Sequence, residues 1–185
     1  MKLNILFFLF IGFAMAFSED SFSQKPVVVN HKTQSKLKWY TLEEAVNQNK
    51  IKKKKILIDL YTDWCGWCKV MDKNTFSNDH VIQYINKNFY PVKFNAETRE
   101  SITFNNKTYN YVGGKGRGYN ELALTLCGGR LSYPTVVFID EDLNVIQPIQ
   151  GYQEPKDFFK IIRYFGEDHY KQTPWQVYVQ NYNKL

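Results

Sequence analysis

The chain has 185 residues, 44% of them hydrophobic and 23% charged, and carries a formal net charge of +6. That length suits one domain with appendages, and the composition is that of a globular protein, which excludes a disordered or fibrous chain. The basic excess is mild and comes with no nucleic-acid motif, so nucleic acid is not an expected partner.

Lys2 precedes an apolar run from Leu3 to Ala16, broken by Asn4 and followed by Ser18-Glu19-Asp20. The run is short for a membrane span, which needs roughly 20 apolar residues, and Ala14-Met15-Ala16 has the small-x-small pattern of a signal cleavage site. Residues 1–16 therefore read as a signal peptide, with an uncleaved N-terminal anchor as the alternative; no cysteine lies near the cleavage point for a lipid anchor. Residues 17–36 read as a polar lead-in around Val27-Val28-Val29.

Thr41 and Glu44 have capping-box spacing, and Leu42, Ala45 and Val46 share a helical face, which predicts a helix over about 41–50. The lysine-rich stretch from Lys50 to Lys55 reads as a solvated loop. Lys55–Tyr61 is then an apolar run of strand length holding one carboxylate, Asp59, and suits a central strand covered on both faces. Trp64-Cys65-Gly66-Trp67-Cys68-Lys69 follows directly, and the pattern continues as a helix to about Asn74, so the cysteine pair stands at a helix start.

Ser77 is the expected cap of a helix with Val81, Ile82, Ile85 and Phe89 on one face, and Tyr90–Phe94 alternates like a strand. Between about 97 and 119 a hairpin is expected, turning at Asn105-Asn106, and then a mobile loop holding glycines 113, 114, 116 and 118. This glycine run neither follows a buried strand nor has the spacing of a phosphate-binding loop. A helix over 120–126, the step Ser132-Tyr133-Pro134, a buried strand 135–139, a turn at 140–142 and a strand 143–149 come next. Pro155 opens a helix with Phe158, Ile161, Ile162 and Phe165 on its core face. The tail with Trp175, Val177, Tyr178, Val179 and Tyr182 is expected to pack on its own domain.

Of three cysteines, Cys65 and Cys68 have the spacing of a working pair, while Cys127 reads as a small buried apolar side chain. A helix N-terminus stabilises a thiolate, and cysteines so placed ionise at roughly 3.5–7.5 instead of ~8.5. Cys65 would attack a disulfide, Cys68 would resolve the mixed disulfide, and a buried carboxylate, with Asp59 the candidate, would take the Cys68 proton. The alternative for Asp59 is a capping or surface carboxylate. A purely structural disulfide is weakly motivated, because closing a four-residue loop contributes only about 2 kcal/mol. Zinc lacks ligands, with His31, His80 and His169 scattered, and haem attachment needs a histidine where Lys69 stands.

These residues resemble the thioredoxin superfamily, most closely exported thioredoxin-like domains similar to the periplasmic C-terminal domain of the interchange protein DsbD. The resemblance covers about residues 37–166. It is carried by Leu57–Lys69, Thr75-Phe76-Ser77 and Tyr133-Pro134-Thr135. It implies an α/β thioredoxin-like fold, with a central mixed sheet flanked by helices, an insertion at 97–119 and an aromatic extension at 167–185.

By the same resemblance Cys65 matches the exposed nucleophile, Cys68 the resolving thiol, Asp59 the buried carboxylate and Pro134 the cis-proline. Trp64, Trp67 and Tyr133 line the substrate surface, and Gly151 fits the family pattern. The implied activity is thiol-disulfide exchange, with no cofactor beyond the cysteine pair and no metal. Partners would be disulfide-containing exported proteins and a thiol electron donor, a membrane thiol-disulfide transporter being one candidate, in a periplasm. Gly66-Trp67 replaces the Gly-Pro of thioredoxins, so reductant strength is not carried over. A binding module with a non-cycling disulfide and a disulfide donor or isomerase are the alternatives.

Overall fold

The computed structural model describes residues 36–114 and 116–182, and the expected signal peptide and almost all of the lead-in lie outside them. The sheet is built around β1 (Lys55–Tyr61), whose run of β-branched and leucine side chains is buried on both faces. β2 (Phe89–Asn95) pairs with it in parallel, and β7 (Thr135–Ile139) antiparallel on the other side, followed by β8 (Val145–Gln150). The order β2-β1-β7-β8 is a mixed sheet.

Alternation along β1 divides the core. Ile56, Ile58 and Leu60 face a layer formed by α1 (Leu42–Ile51), α4 (Glu121–Leu126) and the small ribbon β3 (Ile102–Phe104) with β4 (Lys107–Tyr109). Leu57 faces the opposite layer, of α2 (Gly66–Asn74), α3 (Asp79–Asn88), α5 (Pro155–Gly166) and α6 (Trp175–Asn181). In that layer Phe138 stacks on Phe165 with ring centroids 4.2 Å apart and meets Phe89 edge-on. The tail packs on its own domain: Tyr178 is buried and Trp175 meets Tyr164.

The capping box at Thr41 forms as expected, both of its hydrogen bonds present. Asn78, rather than Ser77, caps α3, its side chain accepting from the His80 and Val81 amides, while the Ser77 hydroxyl turns back to donate to the Lys73 carbonyl. Phe89 opens β2 instead of closing α3. The last strand starts two residues late because Leu143 has φ 69° in a turn that Asp140 ties to the Asn144 amide. Lys55 is not solvated: it is buried, paired with Glu141 at 2.8 Å and Asp168 at 2.9 Å.

The insertion also departs from expectation. The Asn105-Asn106 turn forms, with both residues at positive φ, which suits a two-residue hairpin. The glycine loop, however, is closed by a second ladder of β5 (Tyr111–Val112) and β6 (Tyr119–Asn120). Gly118 lies so close to the Tyr111 hydroxyl and the Val112 carbonyl that a Cβ would stand 2.4 Å from each. Buried Asn120 joins this unit to the domain: its amide donates to the Ala96 carbonyl, its side chain to the Glu100 carbonyl, and its Oδ1 caps α4.

Truncation of Phe138 to alanine removes the ring that joins Phe165 of α5 to Phe89 of β2 in the second core layer. A loss of about 3–5 kcal/mol is expected in urea unfolding; a loss below ~1 kcal/mol would refute the packing role.

Candidate active site

Cys65 ends the turn after β1 and is the N-cap of α2. Its amide donates to the Thr62 carbonyl at 3.1 Å, and its Sγ accepts the Cys68 amide at 3.1 Å. The two sulfurs are joined in a disulfide of 2.08 Å. Reduction would release Cys65 as a thiolate facing the free amides of the first helical turn, where it is best stabilised.

The expected contrast between an exposed and a buried cysteine is not present in the oxidised form. Cys65 is 5% exposed and Cys68 3%, because the capping geometry turns the Cys65 sulfur inward over its own helix. The exposed groups are the flanking indoles, Trp64 at 48% and Trp67 at 62%.

Each indole is fixed from one side. Trp64 donates its Nε1 to Glu97 at 3.0 Å, meets Tyr133 edge-on, and carries the Arg117 guanidinium 4.2 Å above its ring. Trp67 leans on Tyr152. The Tyr133-Pro134 peptide bond is cis, and the Pro134 carbonyl accepts from the Gly151 amide at 2.8 Å, Gly151 having φ 87°. The structure thus gathers Trp64, Cys65, Cys68 and the Tyr133-Pro134 step at one edge of the sheet, with Trp67 beside them.

Asp59 lies beneath α2, on the same face of β1 as Leu57. Its neighbour in register on β2 is Lys93, whose ammonium meets Asp59 Oδ2 at 2.6 Å and also binds Asp72. Asp72 is four residues after Cys68, on the same stripe of α2. Trp39, Tyr61 and Phe76 surround the Lys93 ammonium with ring centroids 5.1–5.6 Å away. Burial is the largest influence on Asp59 and raises its pKa, Lys93 pulls it back, and the carboxyl settles at about 6. Burial alone would lower the Lys93 pKa, but the two carboxylates outweigh it and hold it above its ordinary value. Asp59 Oδ1 is buried and has no hydrogen-bond donor among the described residues.

Cys127 is buried as expected, and burial raises its thiol pKa against hydrogen bonds to Thr135 and Ser132. It therefore packs under the cis-proline step, although sixty residues separate it from the pair. Lys93, Asp72, Glu97 and Arg117 are the residues that sequence reasoning misses. Lys93 alone left a trace, as the charge that falls opposite Asp59 when the two strands are laid side by side. Among the described residues no group of three His, Cys, Asp or Glu side chains is placed to hold a metal ion, and no helix is long and apolar enough to cross a membrane.

A family model described as a thioredoxin-like domain matches residues 42–166. An uncharacterized Caenorhabditis elegans protein, B0495.5, is 28% identical over 139 residues, which are 72% of this chain but 16% of that protein, so the chain spans about a sixth of this curated relative. Among solved structures, a DsbH oxidoreductase superposes with a TM-score of 0.54 at 15% identity, over 78% of this chain and 95% of its own. The Neisseria meningitidis DsbD C-terminal domain aligns with a TM-score of 0.47 at 21% identity, over 66% and 90%.

A carboxyl that titrates at about 6 when folded, against 3.8 when unfolded, binds its proton more tightly in the native state. Its contribution is fully present below pH ~4 and is lost as pH rises through about 6. Relative to the parent, Asp59→Asn should gain stability between pH 4 and pH 8, by roughly 2 kcal/mol over that window. Chemical denaturation at the two pH values checks this, and a pH-independent difference would refute it. Lys93→Met should move the Asp59 titration upward, read by NMR of the side-chain carboxyl.

Proposed function

Because the chain belongs to the thioredoxin-like domain family, we propose that it is a thiol-disulfide oxidoreductase that reduces disulfides of extracytoplasmic proteins through Cys65 and Cys68. The observation that carries this reading is the placement of the Cys65–Cys68 disulfide at the N-terminus of α2, above a buried carboxylate of raised pKa. A disulfide kept only for stability has no use for either.

In the reaction the Cys65 thiolate attacks one sulfur of a substrate disulfide, that bond breaks, and the other substrate sulfur leaves as a thiolate. Cys68 then gives its proton to Asp59 and attacks the Cys65 sulfur. The second substrate sulfur departs, and Cys65 and Cys68 are left oxidised. Two electrons have passed to the substrate, and a thiol donor must return two to the pair. Asp59 suits the proton step because, with its pKa at about 6, it is largely ionised at neutral pH yet holds a proton more readily than an ordinary carboxylate, and its Oδ1 has no donor among the described residues. Lys93 and Asp72 connect it to the protein surface, Asp72 being partly exposed.

The substrate chain would lie across Trp64, Trp67 and the Tyr133-Pro134 step. The reducing direction is supported by the buried proton acceptor. Extracytoplasmic action, most simply periplasmic, is supported by the apolar run Leu3–Ala16. A membrane thiol-disulfide transporter suits the role of donor, because an oxidising compartment supplies few thiols.

Cys65→Ser should abolish reduction of a protein disulfide, and Cys68→Ala should accumulate mixed disulfides that a thiol reductant releases. The potential of the pair, measured by thiol trapping in redox buffers, should lie near ~−270 mV. A value toward ~−120 mV would make the protein a disulfide donor, and absence of exchange would leave a binding module.

A further inference from the structure

The insertion between β2 and α4 brings one cation to the pair. The Arg117 guanidinium sits 4.2 Å from the ring centroid of Trp64, the residue before Cys65, and the side chain is exposed. A guanidinium held over an indole by its charge uses up none of its N–H groups, which form a fork matched to carboxylate. Among the described residues Arg117 makes no salt bridge and no side-chain hydrogen bond. The acidic groups nearby are already engaged, Glu97 by the Trp64 indole and Asp63 by the Asn95 amide. Lys69, exposed in the first turn of α2, adds positive charge beside the pair.

The position of Arg117 is also fixed. Gly118 is pressed against Tyr111, the β5–β6 ladder closes the loop, and Asn120 anchors that ladder to the Ala96 carbonyl, next to Glu97. Trp64 is held at its edge by Glu97 and meets Tyr133, so the guanidinium above its ring stands at a set place relative to the disulfide and the cis-proline step.

We infer that Arg117 is a specificity-determining residue that binds a carboxylate of the substrate polypeptide close to the cysteine undergoing exchange. The preferred substrates are disulfide-bonded chains with Asp or Glu beside the reactive cysteine. This rests on the exchange reading above.

The test uses the reduced full chain and synthetic peptides with an internal disulfide, identical except for Asp, Asn or Lys flanking the cysteine on either side. Each reduction rate is divided by the rate of the same protein on hydroxyethyl disulfide, which is small and uncharged. The Asp peptide should exceed the Lys peptide by about five- to tenfold at low salt, with the margin shrinking at high salt. Arg117→Gln should bring the ratio near one, and Arg117→Glu should invert it. Gly118→Ala, which forces the loop away from Tyr111, should lower the preference with the arginine still in place.

Equal normalised rates for the Asp and Lys peptides with the unaltered chain would overturn the inference and leave the exchange reading intact. So would an unchanged ratio in Arg117→Gln. A chain that reduces neither the peptides nor hydroxyethyl disulfide would remove both.

Discussion

A carboxylate in the middle of a fully buried strand requires a cation, and meeting that requirement organises one whole side of this molecule. Asp59 takes Lys93 from the adjoining strand, one register step across the sheet. Lys93 in turn binds Asp72, and so ties α2 to the sheet at the turn following Cys68. The aromatic rings of Trp39, Tyr61 and Phe76 lie around the ammonium and favour its positive charge. Burial raises the Asp59 pKa, Lys93 offsets only part of that, and the carboxyl settles at about 6. The cysteine helix therefore sits on a group able to change its protonation where thiols change theirs.

The fold was legible wherever a local signal and a burial signal agree. The capping box before α1, the apolar run of β1, the cysteine pair at a helix start and the i, i+3, i+4, i+7 face of α5 all lie where the pattern puts them. Misreadings gather where a side chain finds its partner far away in sequence. Lys55 reads as one more solvated lysine because Glu141 and Asp168 are brought to it only by the finished sheet. Ser77 and Asn78 are both good caps, and the backbone carbonyl of Lys73 claims the serine.

The site divides in the same way. Cys65, Cys68, Asp59 and the Tyr133-Pro134 step are adjacent in motif or in strand, and the structure gathers them. Glu97 and Arg117 come from the insertion, whose glycines resemble a loose loop in sequence. Two of them, Gly113 and Gly118, serve close approach: the backbone at Gly118 packs on Tyr111 where no side chain would fit. Glycine marks both mobility and tight packing, and the difference lies in neighbours that the local sequence does not name.

The aromatic tail has a bearing on where this domain ends. Family similarity stops at residue 166, yet the core does not. Tyr164 meets Trp175 and Tyr178, its hydroxyl donates to the Thr173 carbonyl at 2.6 Å, and Arg163 lies over Tyr182. The final helix thus closes an apolar side of the second core layer although it lies beyond the matched span. The border of the matched span and the border of the packed core are therefore different in this chain.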